Sequence, residues 1–346
     1  MTLTTTNSID DPQFTGSITV RTGARLHFGP LACGASAGRA FGGIGLMVDR
    51  PGMALRVRPA KEECYRQASE PQIARIRQVR SAWELLRTTS AEAAVARQPL
   101  EWQVDIAPVE HAGFGSGTQF SLAAAMALEQ MARSDQSREM TGIVPLSLAQ
   151  LTGRGKRSAI GLNGFLQGGF LVDGGRFPGP GIGALAAAVR LPDAWRFVLI
   201  RPTQGEFGLC GERERAVFDS LPSMSETLAD RLCRITLMQI LPAIHTGDCT
   251  EFRAGLAEFG QRVGAFFAGV QGGIFASPAI RELAQRCPTL ASFFVQSSWG
   301  PTVAIPCGSA AEAVAAVQTL RRLSLAAPFT IDIAEPLNCG ATVSRE

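Results

Sequence analysis

Lysine is nearly missing from this 346-residue chain: of 33 basic residues only Lys61 and Lys156 are lysines. Arginine-rich coding accounts for the total, yet it makes the placement of Lys156 worth a reason. Histidine is as scarce, at His27, His111 and His245, and the eight cysteines stand far apart without any C-x-x-C pair. A disulfide framework and a zinc site are thereby excluded, because both need their groups in close clusters; buried reduced thiols are the expectation. The formal charge of +3 is too small to suggest a broad nucleic-acid or anionic-membrane surface. No uninterrupted apolar run approaches the ~18 residues of a spanning helix. The opening MTLTTTNSIDDPQF has neither the basic start nor the apolar core of a secretory signal, so the expected location is the cytoplasm.

What is present describes a compact protein. Hydrophobic residues make up 46% and charged ones 18%, which is too apolar for a disordered chain. The length allows two domains. Alternating or apolar runs at 17–28, 43–58, 101–107 and 195–202 predict strands, and helical periodicity covers 72–87, 118–133, 226–241 and 249–268. The block GLNGFLQGGFLVDGG at 161–175 reads as paired strands with turns, and the PGPGIG loop after it as the best linker candidate. Asp248, Ser277 before Pro278, and the Ser309/Glu312 capping box predict helix starts. ASFFVQSSWGPTVAIPC reads as two short strands around a tight turn, and PFTIDIAEP as a last strand. Strands cluster instead of alternating with helices, so the class is α+β, with one domain over 1–190 and a second over 191–346.

The stretch HAGFGSGTQFSLAAA at 111–125 carries the first chemistry. Glycines before a helix let backbone N–H groups converge on an anion at the partly positive helix end, and Gly113, Gly115, Ser116, Gly117 and Thr118 stand where that requires. A tight turn that binds nothing is the plainer alternative. The loop is neither a Walker loop, which needs G-K-[ST], nor the G-x-G-x-x-G dinucleotide fingerprint.

With TGARLHFGPL near the start, PVEHAGFGSGTQFSLAAA in the middle and VQSSWGPTVAI near the end, the order of motifs resembles the GHMP kinase superfamily. The resemblance covers nearly the whole chain and implies a glycine-loop domain followed by a ferredoxin-like domain. Kinases of that group place an aspartate in an S-G-x-D block; here GRGKRSAIGLNGFLQGG puts Gly161 at that position. The nucleotide-facing glycine turn is replaced by Ser298-Trp299-Gly300-Pro301. Together ARLHFGPL, HAGFGSGTQ, GRGKRSAIG and SSWGPT resemble a non-kinase branch, the β-ribofuranosylaminobenzene 5′-phosphate synthase family. That resemblance implies joining of phosphoribosyl pyrophosphate to 4-aminobenzoate or 4-hydroxybenzoate, with loss of carbon dioxide and pyrophosphate, in methanopterin biosynthesis. It implies no ATP. Two other classes stay open, a small-alcohol kinase using a carboxylate such as Asp173 and a silent phosphometabolite-binding homologue.

Such a reaction needs no base for an acceptor hydroxyl. It needs donors for the 5′-phosphate and the pyrophosphate, and a divalent ion such as Mg2+ on the pyrophosphate. Lys156, Arg25 and His27 are the catalytic candidates; Arg25 and His27 share a strand face that is either cleft or solvent. Arg154 and Arg157 join the glycine loop as phosphate-binding candidates, although an R-x-K-R run is also what a solvated surface looks like. His111, Gln119, Ser298, Trp299 and Gly300 are the substrate-binding candidates, with indole packing the alternative for Trp299. Glu206 and Glu212 are the metal-ligand candidates, a solvated charged loop explaining them as well. The partners expected are small-molecule substrates; the subunit count is left open, a homodimer among the options.

Overall fold

The alternating residues of β1 (Ile18–Gly29) and the 17-residue β2 (Gly43–Pro59) pair antiparallel along their length, interrupted by irregularities near Gly23 and Phe28. In the computed structural model, the described residues are 15–34, 38–87, 90–133, 145–177, 179, 181–204, 216–218, 220–323 and 328–346. The two ends of β2 take different partners. Its second half pairs with β4 (Leu100–Ile106), to which β3 (Cys64–Arg66) adds in parallel, and its first with β5 (Phe170–Asp173), which continues to β6 (Leu185–Val189). Against this sheet lie α1 (Glu70–Leu86), α2 (Ser90–Arg97), α3 (Ser116–Ala132), α4 (Pro145–Thr152) and α5 (Ile160–Gln167). Buried on nearly every side, α3 is the centre of that layer. Its run of small residues suits a helix enclosed all round, where no polar face is needed.

The second unit is built on β7 (Arg196–Pro202), β8 (Val295–Gln296), β9 (Val303–Cys307) and β10 (Phe329–Ala334), in the antiparallel order β10-β7-β9-β8. Numbered along the chain that is 4-1-3-2, the ferredoxin-like arrangement. Its helices are α6 (Glu226–Ile235), running through a π turn into α7 (Leu241–Thr246), then α8 (Cys249–Gln271), α9 (Pro278–Arg286) and α10 (Ala310–Arg321). Asp248, Ser277 and Ser309 each accept a first-turn N–H, as their positions predict.

Two expectations are corrected. The 161–175 block opens with α5, not a strand, because its glycines serve close packing: a Cβ at Gly161 would lie 3.0 Å from Thr118 Cγ2, and one at Gly164 2.6 Å from Met47 Sδ. The 191–346 unit also does not keep its last strand. β11 (Thr342–Arg345) returns to pair with β1, and Ser17 and Glu346 exchange both backbone hydrogen bonds. One buried cluster runs from Leu26, Phe28 and Leu46 of the first sheet to Phe197, Phe252 and Phe259 of the second unit, so the seam between the two is itself core.

Candidate active site

Three stretches distant in sequence are stitched together beside β1. Arg25 N donates to Phe114 O at 3.0 Å, joining the strand to the glycine loop. The turn between β8 and β9 holds both: Ser297 Oγ donates to Gly113 O (2.6 Å) and accepts from His27 N (3.1 Å), Thr302 Oγ1 donates to Ala112 O (2.5 Å), and Ser298 N donates to His27 O (2.6 Å). Ser297 and Thr302 are fully buried, and the Thr302 bond to Ala112 is buried at both ends and so shielded from competing water. The resemblance through three motifs thus corresponds to one place in the fold.

Gly115 is the N-cap of α3 at φ 65°, in the left-handed region, and no side chain caps this helix. Gly113 (φ 90°) approaches Ser297 so closely that a Cβ would lie 2.8 Å from its carbonyl oxygen. A helix start without a side-chain cap suits a phosphate, with the Thr118 N–H already donating to Gly115 O at 3.0 Å. Ser116 is buried at that start; Gly117 and Thr118 are half-buried.

Cations gather over this helix end. The Arg25 guanidinium lies against Gly115, where a Cβ would be 2.6 Å from Nε; Arg154 donates to Gly117 O at 3.5 Å. Arg75, from α1, lies against Gly117 with its Nη2 3.0 Å from where a Cβ would stand. Nothing in the sequence singles out Arg75, which reads as one more charge on a helix surface. Arg157 sits elsewhere, 4.9 Å above the Phe218 ring. Lys156 is exposed, and its carbonyl accepts from Arg176 Nε at 2.5 Å.

His27 and Arg25 do face the same side, as alternation predicts. His27 Nε2 is 3.1 Å from Ser158 Oγ, a contact the sequence does not reveal. Burial, and then the charge of Arg25, lower its pKa to about 3. At neutral pH His27 is therefore an uncharged hydrogen-bonding group and no proton reservoir.

Gly161 occupies the first turn of α5 with Thr118 and the Arg25 stem (Cδ 3.5 Å from a notional Cβ) filling the space in front of it. A guanidinium stem stands where a kinase carboxylate would project. Asp173 does not replace that carboxylate. It is buried, with Oδ2 accepting from Ala159 N at 2.6 Å and Oδ1 from Gly175 N at 2.9 Å, so both oxygens are spent on the backbone. Burial raises its pKa, partly offset by those N–H donors.

The other candidates have different surroundings. Gln119 is enclosed, its amide donating to Gly161 O (2.9 Å) and accepting from Thr22 Oγ1 (3.1 Å), so it positions α5 from inside. Trp299 is buried edge-on against Phe218 and Phe267, ring centroids 5.6 and 5.0 Å away, which is packing. Ser298 (φ 56°) and Gly300 (φ 67°) shape the clamping turn. His111 is exposed beside the loop, Nε2 3.7 Å from Glu110 Oε2. Glu206 and Glu212 lie outside the described residues. Among the described residues no group of three or more His, Cys, Asp or Glu side chains could hold a metal. The described side chains over the loop are mostly cationic, with Glu110 the carboxylate beside them.

The glycine loop, the ferredoxin-like unit and the clamping turn define a GHMP-kinase-like enzyme fold. Homoserine kinase from Cytophaga hutchinsonii aligns with a TM-score of 0.63 at 15% identity, covering 99% of this chain and 100% of that one. Mevalonate pyrophosphate decarboxylase from Streptococcus pyogenes aligns at 0.62 and 12% identity, over 95% and 99%. No family model matches the sequence. Among curated proteins, a beta-ribofuranosylphenol 5'-phosphate synthase of Archaeoglobus fulgidus is 30% identical over 301 residues, 82% of this chain and 86% of the relative. One of Methanocaldococcus jannaschii is 27% identical over 256 residues, 67% and 74%. The chain belongs to the beta-ribofuranosylphenol 5'-phosphate synthase family, and is a pentosyltransferase.

Proposed function

We propose that this enzyme joins phosphoribosyl pyrophosphate to 4-hydroxybenzoate or 4-aminobenzoate in methanopterin biosynthesis, releasing carbon dioxide and pyrophosphate without ATP. Pyrophosphate leaves the ribose anomeric carbon with its bonding pair, the ring carbon bearing the carboxylate attacks that centre, and the pair of the C–CO2 bond restores the aromatic ring. No net proton is moved. The observation that carries the reading is Gly161: Thr118 and the Arg25 stem fill the space before it, so among the described residues a cation, and no carboxylate, stands at that position beside the anion cradle. Electrostatic stabilisation of developing negative charge on the leaving group is the catalysis such a site supplies. Magnesium enters with the pyrophosphate as its complex. The relatives' name, that of a ribofuranosylphenol phosphate synthase, supports the hydroxy acid as acceptor.

The test is incubation with phosphoribosyl pyrophosphate, magnesium and each carboxyl-labelled benzoate in turn. Labelled carbon dioxide and pyrophosphate are expected in equal amounts, with no response to ATP. ADP formed in step with a phosphorylated product would instead establish a kinase.

A further inference from the structure

Arg75 is held at the glycine loop by a single ion pair whose partner belongs to the loop's own approach. Its Nη1 lies 2.7 Å from Glu110 Oε1, and its guanidinium lies flat against Gly117 in the first turn of α3. Arg75 comes from α1, Arg25 from β1 and Arg154 from the segment before α5, so three separate elements deliver guanidinium groups to one helix end. With the Glu110 carboxylate on one of them, three guanidinium groups beside the positive end of a helix make a place that favours an added anion. Three cations and a helix end suit a group with more charge than a single phosphate monoester.

We propose that Arg75 is a pyrophosphate-binding residue of this enzyme and that Glu110 holds it in place until the pyrophosphate group of phosphoribosyl pyrophosphate takes over the guanidinium. The inference rests on the phosphoribosyl-transfer reading. Glu110 is a stand-in anion: it orients Arg75 and competes with the substrate for it. A purely structural tie between α1 and the loop would behave differently, since breaking it from either end would have the same effect.

The experiment therefore breaks the pair from both ends. Binding of pyrophosphate, phosphoribosyl pyrophosphate and ribose 5-phosphate to the whole protein is measured by calorimetry for the wild type, Arg75→Gln, Arg75→Lys and Glu110→Gln, with thermal midpoints to confirm folding. Arg75→Gln is expected to weaken pyrophosphate and phosphoribosyl pyrophosphate by roughly 10- to 100-fold, the scale of a charge-assisted hydrogen bond, and to leave ribose 5-phosphate unchanged. Arg75→Lys recovers part of the loss, because an ammonium keeps the charge without the planar fork. Glu110→Gln keeps or tightens pyrophosphate binding. Equal weakening by Arg75→Gln and Glu110→Gln would make the pair a structural tie and overturn the inference, as would unchanged binding in Arg75→Gln or a loss confined to ribose 5-phosphate. If the wild type binds neither pyrophosphate nor phosphoribosyl pyrophosphate, the phosphoribosyl-transfer reading falls as well.

Discussion

His27 shows how far a single residue's chemistry is set by its neighbours. On a strand its sequence context allows cleft or solvent, with the family's first motif favouring the cleft, and only the fold brings Ser158 to its ring and Arg25 beside it. The folded chain takes up the His27 proton near pH 3, against an ordinary value of 6.5. An unfolded chain does so near 6.5. Stability from this source is therefore complete above pH 6.5 and is lost progressively as pH falls toward 3. His27→Gln keeps a neutral hydrogen-bonding side chain that cannot take up that proton. Its urea-denaturation stability is expected to fall less steeply than the wild type's between pH 6.5 and 3; identical acid limbs would show that the ring titrates as it does in water. At the same scale the scarcity of lysine draws the eye to one residue and away from another. Lys156 stands out in the composition but is exposed, whereas Arg75, one arginine among many, lies against the loop.

At the scale of elements, most of the architecture was legible because its signals are local. The alternating or apolar strand runs of β1, β2, β4 and β7, the caps at Asp248, Ser277 and Ser309, and the glycine start of α3 each follow from nearby residues. The α5 helix was misread because glycine is a weak helix former, and what admits it there is contact with Met47 and Thr118, which no local pattern contains. The loop's glycines, taken together in sequence, separate in structure. Gly115 is in the left-handed region and a Cβ would meet Arg25, while Gly117 carries no such conformation and a Cβ would first meet the flexible end of Arg75. Gly115→Ala is expected to cost about 1–2 kcal/mol from the backbone alone, visible as a lowered thermal midpoint. Gly117→Ala, inside a helix, is expected to leave the midpoint level or slightly raised, yet to raise the KM for phosphoribosyl pyrophosphate by displacing Arg75. A fall in midpoint for Gly117→Ala with KM unchanged would place that glycine in packing and remove it from the anion cradle.

For the molecule as a whole, the candidate site is a property of the seam between its two units. The loop, β1 and α3 belong to the first sheet, but the turn that fixes them comes from the second, and helix α8 packs between, with Val263 Cγ1 2.5 Å from where a Cβ on Gly29 would stand. The sequence carries this only as a motif order, since the bonds span 184 and 270 positions in Ser297 alone. Ser297 is the point of closure. Its hydroxyl is buried, donating to Gly113 O and accepting from His27 N, so Ser297→Ala strands a carbonyl and an N–H of two half-buried residues at once. The expected cost is about 1–3 kcal/mol for each stranded group, less whatever relaxation or an entering water recovers. Because both groups lie between the loop and β1, the loss should reach function as well as stability. The KM for phosphoribosyl pyrophosphate is expected to rise as Gly113 loosens, while the KM for the benzoate changes little. Ser297→Thr, which retains the hydroxyl, has no room at a fully buried position and serves as the packing control, lowering the thermal midpoint by overcrowding. Steady-state kinetics at a temperature where all three proteins stay folded, beside their thermal midpoints, makes the comparison. A Ser297→Ala protein with a lowered midpoint but wild-type KM for phosphoribosyl pyrophosphate would mean that the second unit supports the fold without shaping the anion cradle.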